Sequence, residues 1–221
     1  MSQTFNIYCE RTGPGLWTEP LNAVTNGAFL LVAILAALEW RKRPPDALVG
    51  VLILLTAAIS VGSFLFHTAA TRWAMLADSI PIGLFVFLYF FLALRRFLGW
   101  SMVLVLVGLA LFAAASAVVI PLLEVLFGGS AGYLPPLIAL LGFGALLVGE
   151  GDPRGAAMVA AGGIFAASLA FRVLDASVCA SFPLGTHFLW HLLNAAVLAV
   201  LLRAALVSDP DIRHPRPRES D

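Results

Sequence analysis

Long blocks of apolar residues, separated by short polar or charged breaks, run along this chain. A helix needs about 20 mostly apolar residues to cross the hydrocarbon of a bilayer. Seven blocks reach or approach that length, at 20–40, 46–67, 75–95, 98–126, 132–149, 155–176 and 184–206. They predict an all-α bundle of seven transmembrane helices. The alternating segments of about ten residues that mark a membrane barrel are absent. Pro121 predicts a kink or an early exit from the fourth block, and Pro135 and Pro136 mark the start of the fifth.

Composition excludes a water-soluble domain: the chain is 61% hydrophobic and 12% charged, with a mean hydropathy of +0.96. Cations between the blocks set the expected orientation. With the amino terminus outside, Arg41, Lys42, Arg43, Arg95, Arg96, Arg154, Arg203, Arg213, Arg216 and Arg218 fall on the inner side. Only Arg11 and Arg72 fall outside, and Arg172 lies within a block. That asymmetry predicts an outer amino terminus and a cytoplasmic carboxyl terminus.

Residues 1–206 read as one membrane domain, and the polar, proline-rich stretch 207–221 as a disordered cytoplasmic tail. The start of the chain has no basic cluster followed by an apolar core, so it does not read as a cleaved signal peptide. Low lysine content and short loops point to a bacterial inner membrane. A formal net charge of zero gives no argument for nucleic-acid binding.

Ionisable residues inside spans are costly, so their positions carry the chemistry. HFLWH places His187 and His191 one helical turn apart at the start of the last block. His67 ends the second block, with Ser63 one turn before it, and Asp78 follows where the chain turns back into the third. The expected topology brings the three histidines and Asp78 to one leaflet, the outer one. Residues four apart share a helix face, so His187 and His191 can point to one centre. Three neutral imidazoles and a water make an open zinc site of hydrolytic type. Asp78 is the candidate proton acceptor, and Ser63 can bind the water or a developing oxyanion. A lone histidine on an apolar helix is more often a packing residue, and a proton relay or ion pathway uses similar groups. Three histidines and an aspartate at one depth favour the metal.

Cys9 and Cys179 are both expected on the outer side, where thiols oxidise. That favours a disulfide, while two unrelated thiols is the plainer alternative. Arg172 and Asp175, three residues apart, read as a structural ion pair, with headgroup contact as the second option. Asn22 and Asn26 read as caps or interhelical bonds, and Trp17, Trp73 and Trp100 as interfacial anchors. GLFVFLYFFLAL reads as lipid-facing or packing surface, or as the lining of an acyl-chain groove.

YCERTGPGLWTEPLNAVTN, SFLFH with Asp78 eleven residues beyond its histidine, and GTHFLWHLLN together resemble the alkaline ceramidase family. That family belongs to a wider group of seven-helix membrane hydrolases that includes the adiponectin receptors. The likeness runs from about residue 8 to 206. It implies hydrolysis of the ceramide amide, at an intramembrane zinc, to a sphingoid base and a fatty acid. His67, His187 and His191 would then be the zinc ligands, Asp78 the proton shuttle and Ser63 the water-orienting or oxyanion group. The resemblance also implies pairing of Cys9 with Cys179.

Eukaryotic members hold calcium in the amino-terminal segment. Here Glu10 and Glu19 match two of its carboxylates, and the Tyr8 carbonyl is a further oxygen. Ile7 stands where an aspartate is expected, and Thr12 where an asparagine is. The alternative reading of Glu10 and Glu19 is as caps that hold the segment folded. The expectation is a zinc-dependent membrane amidase with a lipid substrate. The alternatives are a related hydrolase of another acyl amide or ester, and a non-catalytic receptor or ion transporter.

Overall fold

A computed structural model describes residues 4–208. The tail from 209 onward, with Arg213, His214, Arg216 and Arg218, lies outside the described residues. In chain order come α1 (Pro20–Thr25), α2 (Gly27–Trp40), α3 (Ala47–Ala69), α4 (Arg72–Leu92), α5 (Met102–Phe127), α6 (Leu134–Gly149), α7 (Pro153–Val178) and α8 (His187–Leu206). A π-helical turn, Ala93–Phe97, extends α4, and a 3-10 turn, Gly128–Tyr133, joins α5 to α6. No strand occurs among the described residues.

Six segments are long and apolar enough to cross a membrane. One fewer than expected, because the fourth and fifth predicted blocks fall in a single apolar stretch, Met102–Gly149, that contains α5, the 3-10 turn and α6. At 16 residues, α6 is short for an independent span. Pro121 neither ends α5 nor forces an early exit, since the helix continues through it to Phe127. It stops where Gly128 takes a positive φ of 51°.

The bundle has an apolar core and an apolar outer surface, and within it runs a buried polar stripe. Along α3, Thr56, Ser60, Ser63 and His67 are buried, while Val51, Leu54 and Val61 face outward. The 4-3-4 spacing of the polar set keeps it on one helix face. This stripe looks into the bundle, where α3 packs on α2 and α4, and α8 packs on α7, α2, α1 and α3. The α5 helix is peripheral, with Val105 its one buried residue. Trp17 and Trp73 are largely exposed, and Trp100 less so.

At the other end of α3, Asp46 accepts hydrogen bonds from the Leu48 and Val49 amides at 3.1 and 3.2 Å, capping the helix. The same carboxylate takes a forked pair from Arg96 at 2.5 and 2.9 Å, tying α3 to the turn after α4. Burial alone would raise the Asp46 pKa, but the Arg96 hydrogen bonds, the helix amides and the arginine charge together hold it below its usual value. Its contribution is therefore complete above the unfolded aspartate value of about 3.9 and fades as pH falls through the lower folded one. Asp46→Ala is expected to cost about 2 kcal/mol near neutral pH. In thermal unfolding of detergent-purified protein, the gap from wild type should narrow on acidification below about pH 4.

Candidate metal centre

Three histidines from two helices converge inside the bundle. His67 ends α3, and His187 and His191 occupy the first two turns of α8. All three side chains are buried, and one nitrogen from each lies within 4.8 Å of the other two. Ring centroids stand 5.1 Å apart for His67–His187, 4.7 Å for His67–His191 and 4.6 Å for His187–His191.

Neighbours fix which nitrogen faces the centre. The Glu19 carboxylate accepts from Nδ1–H of His67 at 2.6 Å, which leaves Nε2 free. The hydroxyl of Thr25 has the carbonyls of Leu21 and Asn22 for its own proton. Its oxygen can therefore accept from Nδ1–H of His191 at 2.9 Å. Nε2 of His191 and Nδ1 of His187 are buried with no hydrogen-bond partner. Buried ring nitrogens without hydrogen-bond partners, in three imidazoles that bring one nitrogen each within 4.8 Å of the others, fit a metal better than they fit a packing role. Tyr8 stacks on His187, with centroids 3.5 Å apart, and burial keeps its phenol pKa raised and the ring neutral.

Ser63 and Asp78 line the same cavity as His187 and His191. Their proximity comes from a backbone approach that was not anticipated. A Cβ at Gly62 would collide with the Ala77 carbonyl and crowd the Asp78 amide, so only glycine lets α3 and α4 close here. Pro81 has no N–H to offer the Ala77 carbonyl, and that freed carbonyl is the one facing Gly62. Oδ1 of Asp78 is buried without a hydrogen-bond partner among the described residues.

Arg172 and Asp175 do not form the expected ion pair. Asp175 instead accepts three backbone amides: Cys9 at 2.9 Å, Thr186 at 2.7 Å and His187 at 2.9 Å. The last two are at the start of α8, where a carboxylate is favoured by the helix dipole. One side chain thus ties the amino-terminal segment, α7 and the first histidine of α8 together. Gly185, at φ 64°, gives it room, since a Cβ there would strike the Asp175 carboxylate.

Arg172 turns toward aromatic rings, its guanidinium carbon 5.5 Å from the centroid of Tyr8 and 5.2 Å from those of Tyr133 and Trp190. Among the described residues no carboxylate lies within ion-pairing distance of it. It lines the cavity, and its Nε has no hydrogen-bond partner.

Asn22 and Asn26 make no side-chain caps. Asn22 donates to Glu19 at 3.2 Å, and Asn26 donates to the Asn22 carbonyl at 2.8 Å. Ser60 crosses from α3 to the Asn26 carbonyl at 2.7 Å. Cys9 and Cys179 stand at disulfide distance, with Cα atoms 5.2 Å apart. From the histidines the cavity continues past Phe85, Phe90, Phe112 and Phe143, so the aromatic third block supplies part of an apolar groove.

Residues 12–151, more than half of the chain, match the family described as Ceramidase, and the chain belongs to that family. Membership implies a hydrolase acting on an amide bond, with a ceramide lipid as substrate. The match contains Ser63, His67 and Asp78 but stops before His187 and His191, which α8 brings to the same centre. No curated protein matches the chain.

Proposed function

We propose that the protein is a zinc-dependent intramembrane amidase, cleaving the N-acyl bond of ceramide or a closely related lipid. The observation that carries this reading is the convergence of three buried imidazoles, two of them with a nitrogen that has no hydrogen-bond partner, in a chain of the Ceramidase family whose cavity also holds Asp78 and Ser63. His67, His187 and His191 would hold the metal, whose three-nitrogen donor set suits zinc. Bound there, zinc would supply Lewis acidity toward a carbonyl oxygen and make water more acidic.

The protein's own groups carry the rest. The acyl chain lies along the phenylalanine-lined groove, with the amide carbon facing the histidines. Asp78 takes a proton from the attacking water as the C–O bond forms. Ser63 donates its hydroxyl hydrogen to the oxygen that gains charge. Asp78 then returns the proton to the departing nitrogen as the C–N bond breaks, giving a fatty acid and a neutral amine.

The preferred topology has seven spans, with α6 counted as the fifth, and an outer amino terminus. Cys9 and Cys179 then pair in a disulfide on the outer side of what is read as a bacterial inner membrane. Arg172 favours a second reading of the same chemistry. A cation with no carboxylate partner suits an amide whose amine half carries an anionic group.

A lipid panel tests both readings. Purified protein is offered ceramides, N-acyl amino acids, uncharged N-acyl amines and phospholipids, and products are followed by mass spectrometry. Equal amounts of fatty acid and sphingoid base from ceramide are expected. Preference for N-acyl amino acids would select the second reading, and cleavage confined to phospholipid esters would contradict both.

A further inference from the structure

The carboxylates that the resemblance associates with calcium are already satisfied from within the chain. Glu10 accepts from the amides of Leu21 at 2.6 Å and Asn22 at 2.8 Å, one oxygen to each. Glu19 accepts from His67 Nδ1 and Asn22 Nδ2 on one oxygen, and from Arg11 Nε on the other. The Tyr8 carbonyl accepts the Arg11 amide at 3.2 Å. Ile7 offers no side-chain oxygen, and Thr12 is exposed.

Arg11 has buried its charge to do this. Its side chain is 1% exposed and that of Glu19 3%. The guanidinium also donates to the His67 carbonyl at 2.9 Å and to the Gly13 and Gly15 carbonyls at 3.3 and 3.4 Å. One carboxylate and three carbonyls around a cation is a donor set that a calcium ion would want, and calcium asks for six to eight oxygens. A planar fork with five N–H groups meets the same oxygens directionally.

We propose that Arg11 is a tethered cation standing in for calcium, so that the amino-terminal segment folds over the histidines without binding that ion. Residues 10–19 close on themselves through Arg11, and the same guanidinium fastens that loop to the last turn of α3 at the His67 carbonyl. Because Glu19 holds both Arg11 and the His67 ring, Arg11 is also a positioning residue for that imidazole. Only this last clause rests on the metal reading.

Calcium-45 equilibrium dialysis and thermal unfolding of the full-length wild-type protein test the proposal without substrate, so failure of the amidase reading leaves the result intact. No stoichiometric calcium is expected, and millimolar calcium should move the unfolding midpoint by less than about 1 °C. Arg11→Gln should lower the midpoint by roughly 5–15 °C, because Glu19 keeps a buried, unbalanced charge. Arg11→Lys, which restores the charge without the fork, should recover part of that loss. About one calcium bound per wild-type chain would overturn the proposal even if neither variant folds. Equal losses for the glutamine and lysine variants would overturn it as well.

Discussion

Asp78→Asn is expected to lower kcat by about 10²–10⁴-fold, the usual contribution of a general acid–base group. Metal content and the unfolding midpoint should stay close to wild type. The substitution keeps the volume and removes the carboxylate's charge together with its ability to take and return a proton. Oδ1 of Asp78 has no hydrogen-bond partner among the described residues, and Asp78 makes no ion pair there. Little structure therefore depends on its charge. KM should change little, because in the proposed mechanism the apolar groove holds the acyl chain and Asp78 moves only a proton. Turnover within threefold of wild type would remove Asp78 from the proton pathway. A non-catalytic receptor predicts no hydrolysis to lose.

His191→Ala should release the metal and abolish turnover together. Removing a ligand costs more than the 10–100-fold typical of a supporting hydrogen bond, so affinity should fall by more than about 100-fold. Thr25→Val separates the two levels. It leaves the ligand in place and removes the acceptor for Nδ1–H of His191 together with the hydroxyl's bonds to the Leu21 and Asn22 carbonyls, and its loss should stay within that 10–100-fold range. Metal titration by competition with a chromophoric chelator measures both. Equal affinity in all three proteins would mean that His191 is not a ligand.

Much of the fold was legible because a bilayer demands long apolar blocks. The predicted 20–40 block is covered by α1 and α2, and 132–149 by the end of the 3-10 turn together with α6. Hydropathy alone could not show that the first block breaks at Asn26, which is a matter of backbone hydrogen bonding. The short fifth block, with Pro135 and Pro136 at its start, already matched α6 to within two residues. His67, His187 and His191 stood out because an ionisable group in a span is rare, and they do converge.

Their supporting residues did not stand out in that role. Thr25 is ordinary in a short helix and Gly62 in an apolar run, while Glu19 reads as a calcium ligand or a cap and not as a partner of His67. Their meaning lies in what sits across from them. Arg172 and Asp175 misled because three-residue spacing allows a pair within one helix. The amides at the start of α8 and the rings around the cavity, invisible to spacing, outcompete it.

Metal analysis of wild-type protein, purified without chelator or added metal and followed by X-ray absorption at the zinc edge, tests the central claim most directly. About one zinc per chain, bound by nitrogen donors at about 2.0–2.1 Å, is the predicted result. Protein that hydrolyses its lipid substrate at full rate with no zinc or other transition metal at the three histidines would contradict it.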